Sequence, residues 1–224
     1  MSEPSSRRYV LAGLVVALLG LVVSGVLLVQ ARSGAEDFGP APGDSIPRAG
    51  ARVTGTTPPA GEPADGATSP VAATVPEPSS LSLPRLDVRA PITPVGVAPD
   101  GQVEVPRDPK EVGWYRYSPA PGSPEGSAVI VGHVDSDDRG LGVLVALADA
   151  RRGDRVLVDR KDGSKVAYRV TSRRTIGKQD LAASGVFRRE GPAVLTLITC
   201  AGPYLPDEGG YQNNLVVTAV EAPS

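Results

Sequence analysis

Cysteine, histidine and tryptophan each occur once among the 224 residues. One cysteine, Cys200, excludes an internal disulfide, so a domain outside the cytoplasm would be held together by packing alone. Metal ligands are equally scarce. Cys200 and the lone His133 would need Asp135, Asp137 or Asp138 to complete a site, whereas zinc sites usually draw on more nitrogen and sulfur donors at tighter spacing. The acidic run "DSDD" also lacks the glycine and bidentate glutamate of an EF-hand loop, which leaves a solvated loop as its default reading. An excess of positive charge is missing too: 23 Lys and Arg stand against 25 Asp and Glu, for a net charge of −2. That balance argues against nucleic acid as a partner, because such binding relies on a basic field. Aromatic residues make up only 4%, while Gly (26) and Pro (23) are abundant. A helical bundle is disfavoured, and short strands joined by turns are favoured.

Charge is absent altogether from residues 9–29, from Tyr9 to Val29, which read "YVLAGLVVALLGLVVSGVLLV". About 20 apolar residues span the roughly 30 Å hydrocarbon layer as a helix. Arg7 and Arg8 precede the run, whereas Arg32, Glu36 and Asp37 follow it, so residues 1–8 are expected in the cytoplasm and the remainder outside. A cleaved signal peptide, with "VQA" at residues 29–31 as its cleavage site, is the competing reading. The run exceeds the roughly 7–15 residues of an ordinary signal core, which favours a retained single-pass anchor over residues 9–30. Residues 31–80 carry no helical or strand period and few bulky apolar side chains. They read as a disordered linker rich in Pro, Gly and Ala.

From residue 81 to residue 224 the composition is that of one folded domain. β-prone runs recur between turn signals, among them "SAVIVGHVD", "DRVLVDR", "SKVAYRVTSRRTI", "AVLTLITC" and "NLVVTAVEA", and point to a barrel or a sandwich. "RKDGS" at residues 160–164 is a hairpin turn, since Asp-Gly reaches positive φ at little cost. "VLVALADA" at residues 143–150 and "KQDLAASGVF" at residues 178–187 are the expected short helices.

Cys200 closes the apolar run "LTLITC", and His133 closes "SAVIVGH". Both sit where a β-branched run gives way to a polar loop. A thiol attacks as thiolate, so a nucleophilic cysteine benefits from an imidazole nearby, and two adjacent strand ends would supply one. Core packing for the cysteine and a structural place for the histidine remain open on these residues alone.

The motifs resemble those of the sortases, the surface cysteine transpeptidases. "TLITC" at residues 196–200 matches the TLxTC signature of the penultimate barrel strand, and "GHVDS" at residues 132–136 matches the histidine segment. "LPRLDVRAPITPVG" from Leu83 is similar to the family's first strand, "NLVVTAVE" to its last, and "GWYRYSP" around Trp114 to a segment ahead of the histidine strand, where a packing role is expected. The shape is similar to the compact actinobacterial classes E and F, with F the closer. The resemblance implies a mainly β fold, a closed eight-stranded barrel with short helices, and no cofactor. Its partners would be proteins bearing an LPxTG-like sorting signal and an amine of a peptidoglycan precursor or of another protein.

Transferred to this sequence, the resemblance makes Cys200 the nucleophile on the Thr-Gly carbonyl and His133 the proton donor to the leaving amine. One position departs from the family. An arginine is usual at the start of the last strand, and here that place falls on Asn214, beside Asn213. Asn214 would take over as oxyanion donor, with Asn213 and Thr199 near the substrate. Alternatively a loop arginine such as Arg139, Arg173 or Arg174 supplies the charge, or the protein is a weakly active or non-catalytic peptide-binding barrel. Thr199, one residue before the thiol, is expected on the opposite strand face.

Overall fold

Alternation of small polar and apolar residues opens the folded region. In β1 (Pro78–Leu83) Leu81 and Leu83 are buried between half-buried serines, and in β2 (Val88–Val95) Val88, Ala90 and Ile92 are buried between exposed Arg89 and Pro91. A two-residue period of this kind turns one strand face toward a core. β3 (Val112–Tyr115), β4 (Ser127–Val131), a small hairpin of β5 (Asp135–Ser136) and β6 (Gly140–Leu141), β7 (Arg155–Arg160), β8 (Lys165–Gly177), β9 (Val194–Leu205) and β10 (Gly210–Glu221) follow. The computed structural model describes residues 36–43, 74–136 and 138–222. The chain divides after Glu36, and the barrel belongs to the second unit, residues 37–224. The expected membrane span lies outside the described residues, among which no helix is long and apolar enough to cross a membrane.

Eight strands close into a barrel in the order β1-β2-β3-β4-β9-β10-β8-β7, with β7 pairing back to β1. Closure leaves the barrel without a free edge strand. The β2–β3 and β4–β9 pairs are parallel and the others antiparallel. β7 and β8 join at the expected hairpin, where Gly163 takes φ +85°.

Several expected elements differ. The strand anticipated from Leu83 is β2, and β1 precedes it. "QVEVP" at residues 102–106, a further run of β-prone pattern, forms no strand, only an isolated bridge between Val97 and Val103. "VLVALADA" winds as a 3₁₀ helix, Val143–Asp149, with Leu144 and Leu147 buried. Within residues 178–187 one 3₁₀ turn forms, Ala182–Ser184.

Part of the expected linker is ordered on the barrel. Phe38 and Arg173 exchange two backbone hydrogen bonds of 2.9 Å. The Phe38 ring lies under the guanidinium groups of Arg152 and Arg173, 5.8 and 5.3 Å from its centroid. Asp37 Oδ1 accepts from the Thr175 backbone N–H, and buried Pro42 accepts at its carbonyl from Arg188 Nη1. One aromatic ring in a stretch otherwise poor in bulky side chains is enough to seat this strap.

The continuous apolar runs of β4, β9 and β10 have a reason beyond barrel closure. Register and alternation place Ile130, Leu197 and Val217 on the inward face, and Val129, Val131, Ile198 and Val216 on the outward one. The outward set forms a second cluster with Val95 and Val186, against which Tyr115, Leu181 and Phe187 pack. Strands buried on both faces lose their hydrophobic alternation.

Candidate functional site

Burial, not pairing, ends at Cys200. Residues 194–199 are buried, Cys200 is half-buried, and residues 202–205 are exposed. The expectation that the strand stops at the thiol is therefore corrected: β9 pairs on with β10 to Leu205↔Gly210, forming a hairpin that outruns the barrel. The ladder slips between Tyr211 and Asn213, and the Gly202–Pro203 peptide is cis.

The outward face of β9 carries Ile198 and then Cys200. Val216 lies level with Ile198, and Asn214 with Cys200. On the other side Val131 lies level with Ile198, and the Gly132 N–H donates to the Ile198 carbonyl at 3.1 Å. Carrying the parallel register two residues further brings His133 to the level of Cys200, on the same face by parity. Cys200 and Asn214 thus come from the paired strands β9 and β10, and His133 from the segment that leaves the end of β4.

His133 is fixed from behind. Its Nε2 lies 2.8 Å from the Pro106 carbonyl oxygen. A carbonyl only accepts, so Nε2 carries the proton and Nδ1 is the ring nitrogen left to exchange one. The loop beyond is held by the Gly142 N–H donating to the Val134 carbonyl at 2.9 Å.

A cavity of about 640 Å³ opens over this face. Cys200, Asn214 and Thr199 border it, and Val103, Tyr115, Leu181 and Phe187 supply much of its apolar wall. Asn214 is buried at 8% exposure, and among the described residues its carboxamide makes no hydrogen bond. Thr199 reaches the cavity edge, yet alternation puts its side chain on the inward face, where its buried Oγ1 has no partner among the described residues. Asn213 does not line the cavity, and its amide donates to the Gly202 carbonyl at 2.5 Å, bracing the hairpin.

Among the described residues no arginine borders the cavity. Arg139 is exposed and pairs with Asp138 at 3.5 Å. Buried Arg173 donates to the carbonyls of Ala148 and Ala150, and Arg174 to that of Gly39. Among the described residues the cation on the cavity wall is Lys178, the first residue after β8. Sequence reasoning passed over it because the apolar residues of "KQDLAASGVF" suggested a helix there.

Burial pushes the Cys200 thiol above its ordinary range, Lys178 pulls it down and Asp135 pushes it up. Asp135 accepts a 2.5 Å hydrogen bond from Tyr211 Oη. That bond, with burial and the nearby charge, pushes the Tyr211 phenol up to about 12. At neutral pH the thiol and the phenol are both protonated. Trp114, on β3, packs inward and donates from Nε1 to the Pro119 carbonyl at 3.3 Å. Among the described residues no group of three or more His, Cys, Asp or Glu side chains is placed to hold a metal ion.

Comparison with known proteins bears on the family and the fold. A family model described as the sortase domain matches residues 81–222. Among solved structures, sortase C-1 from Actinomyces oris is 22% identical, with a TM-score of 0.51, 65% of this chain covered and 73% of that one. A lid mutant of sortase A from Corynebacterium diphtheriae is 23% identical, with a TM-score of 0.51, 69% of this chain covered and 75% of that one. Sortase C1 from Streptococcus agalactiae is 21% identical, with a TM-score of 0.51, 65% of this chain covered and 67% of that one. At these identities the likeness speaks for the fold. A comparison with curated protein sequences finds no match.

Proposed function

The chain belongs to the sortase family and is a cysteine transpeptidase, and from that premise we propose that Cys200 attacks the Thr-Gly carbonyl of an LPxTG-like sorting signal. The reading rests on one observation above all: strand register sets Cys200 between Asn214 and the segment carrying His133, at the edge of a cavity of about 640 Å³. The thiolate adds to the carbonyl carbon and the π pair moves onto oxygen. The tetrahedral adduct then expels the glycine amine, which takes a proton from the His133 imidazolium, leaving a thioester. An incoming amine gives its proton back to the imidazole, adds to the thioester carbonyl and takes the acyl group as the C–S bond breaks and the Cys200 thiolate leaves. That amine belongs to a peptidoglycan precursor or to another protein. Water substitutes for it slowly.

The neutral resting thiol means that the thiolate is a minor population at neutral pH. The Asn214 carboxamide, unpaired among the described residues and buried at the level of Cys200, is the neutral donor for the oxyanion. The apolar wall suits the Leu-Pro part of a sorting signal. The compact class F type remains the preferred subclass. The uncharged residues 9–29 serve as the anchor that holds the domain on the outer side of the cell membrane.

A weakly active peptide-binding barrel is the second reading, favoured by the absence of arginine from the cavity wall among the described residues. Incubating the full chain with LPxTG and LAxTG peptides and looking for a Cys200 adduct by mass spectrometry separates the two. An adduct that Cys200→Ala abolishes supports the transpeptidase reading, and no adduct from a folded protein supports the other.

A further inference from the structure

The charge balance of the cavity is unusual for a site where negative charge has to develop. Its walls are aliphatic and aromatic side chains, backbone and a few neutral amides, and among the described residues the single charged one lining it is Lys178. A carbonyl oxygen that becomes an oxyanion in such surroundings has little water to solvate it and gains strongly from a fixed donor.

The placement of Lys178 follows from register. Cys200 on β9 pairs with Asn214 on β10, and Asn214 pairs with Ile176 on β8. Lys178 is two residues beyond Ile176, so parity returns it to the face of the thiol and of Asn214. Its backbone N–H donates to the Gln212 carbonyl at 3.0 Å, which ties the start of the β8–β9 connection to β10. Among the described residues its ammonium makes no salt bridge or hydrogen bond, although the side chain is only partly exposed. An ammonium left without a carboxylate beside a nucleophile is available to a ligand.

The three arginines that could have held this place are committed elsewhere: Arg173 and Arg174 to backbone carbonyls and Arg139 to Asp138. The lysine enters from the opposite strand of the β8–β10 pair to the one on which a cation was sought, and four carbons of side chain bridge the difference.

We propose that the Lys178 ammonium donates to the carbonyl oxygen of the acyl donor, holding the oxyanion together with the Asn214 amide while the thioester forms and again while it is resolved. The assignment rests on Cys200 being the nucleophile. Lys178 stays protonated throughout: it donates a hydrogen bond and transfers no proton, so the proton balance between His133 and the amines is unchanged. Its charge also favours the thiolate, against burial and against Asp135.

The test uses the full chain, Lys178→Met and Lys178→Arg. Thioester formation on an LPxTG peptide is followed by quench and mass spectrometry, and Cys200 alkylation by iodoacetamide is followed against pH. Lys178→Met should slow acylation about 100-fold at saturating peptide, as loss of one oxyanion donor does, with KM changed by less than about threefold. Lys178→Arg should recover most of the rate. The Met variant should also begin to alkylate at higher pH than the wild type, with His133, Asp135 and Tyr211 unchanged around the thiol. Acylation by Lys178→Met at the wild-type rate, or a loss confined to KM, overturns the proposal. A folded wild type that forms no Cys200 adduct overturns the transpeptidase mechanism and this assignment with it.

Discussion

Gly142→Ala tests whether the backbone of the histidine segment is held by contact. Gly142 has φ −76° and ψ 155°, which alanine adopts without strain. A Cβ added there would sit 2.1 Å from the His133 carbonyl oxygen, 2.4 Å from its carbonyl carbon and 2.7 Å from its Cβ. Ordinary carbon–oxygen contacts lie near 3.3 Å, so the two segments must part by about 1 Å. The movement pulls against the Gly142 to Val134 hydrogen bond of 2.9 Å and the His133 to Pro106 bond of 2.8 Å. A displacement of about 1 Å at a reacting group costs on the order of 100-fold in rate, and the overpacking costs about 1–3 kcal/mol. Single-turnover acylation of the full chain and thermal unfolding measure both. Gly163→Ala is the control: its φ is +85° and nothing lies within 4 Å of the added methyl, so it should lose about 1 kcal/mol and keep its rate. If Gly142→Ala acylates within threefold of wild type, contact at Gly142 does not position His133.

Cys200 should alkylate more slowly at pH 7 than an exposed thiol, its rate climbing only above the ordinary thiol range, because burial favours the uncharged acid. Asp135→Asn removes a negative charge that raises the thiol, so it should speed alkylation at pH 7.5, as an iodoacetamide time course would show. A slower reaction would reverse the assigned sign. Leu197→Ala empties an inward position with no exposed surface and should cost about 2–5 kcal/mol in urea unfolding. Phe38→Ala loses two cation–π contacts and a half-buried ring, worth about 1–2 kcal/mol. It should lower Tm by about 3–6 °C on scanning calorimetry.

How much of this the amino-acid order discloses depends on how local the cause is. Cys200 and His133 end runs that are apolar at every position, and the doubly covered strands β4 and β9 explain those runs, so the pair stood out. The β8–β9 connection that covers the outward face is irregular in backbone, and its apolar residues read as a helix. Lys178 acquires its place through two strand registers between distant segments, a relation that no spacing records. The partner of His133 at Pro106 is a backbone carbonyl, which no residue type advertises. "AGPYL" after the thiol looks like a break because Gly and Pro are poor ladder residues. The β9–β10 hairpin nonetheless continues, braced by Asn213 against Gly202. Averaging composition over residues 31–80 hid Phe38, whose single ring seats the strap.

That strap gives the barrel a mechanical character. A pull arriving from the N-terminal side meets the two hydrogen bonds between Phe38 and Arg173 on β8 before it reaches β1. A few residues on, Pro42 bears on Arg188, and Gly43 lies against Ser184 and Gly185 in the connection that walls the cavity. Load is therefore shared with the wall that carries Lys178 and Phe187. A pull on the strap thus bears on the cavity wall as well as on the barrel strands.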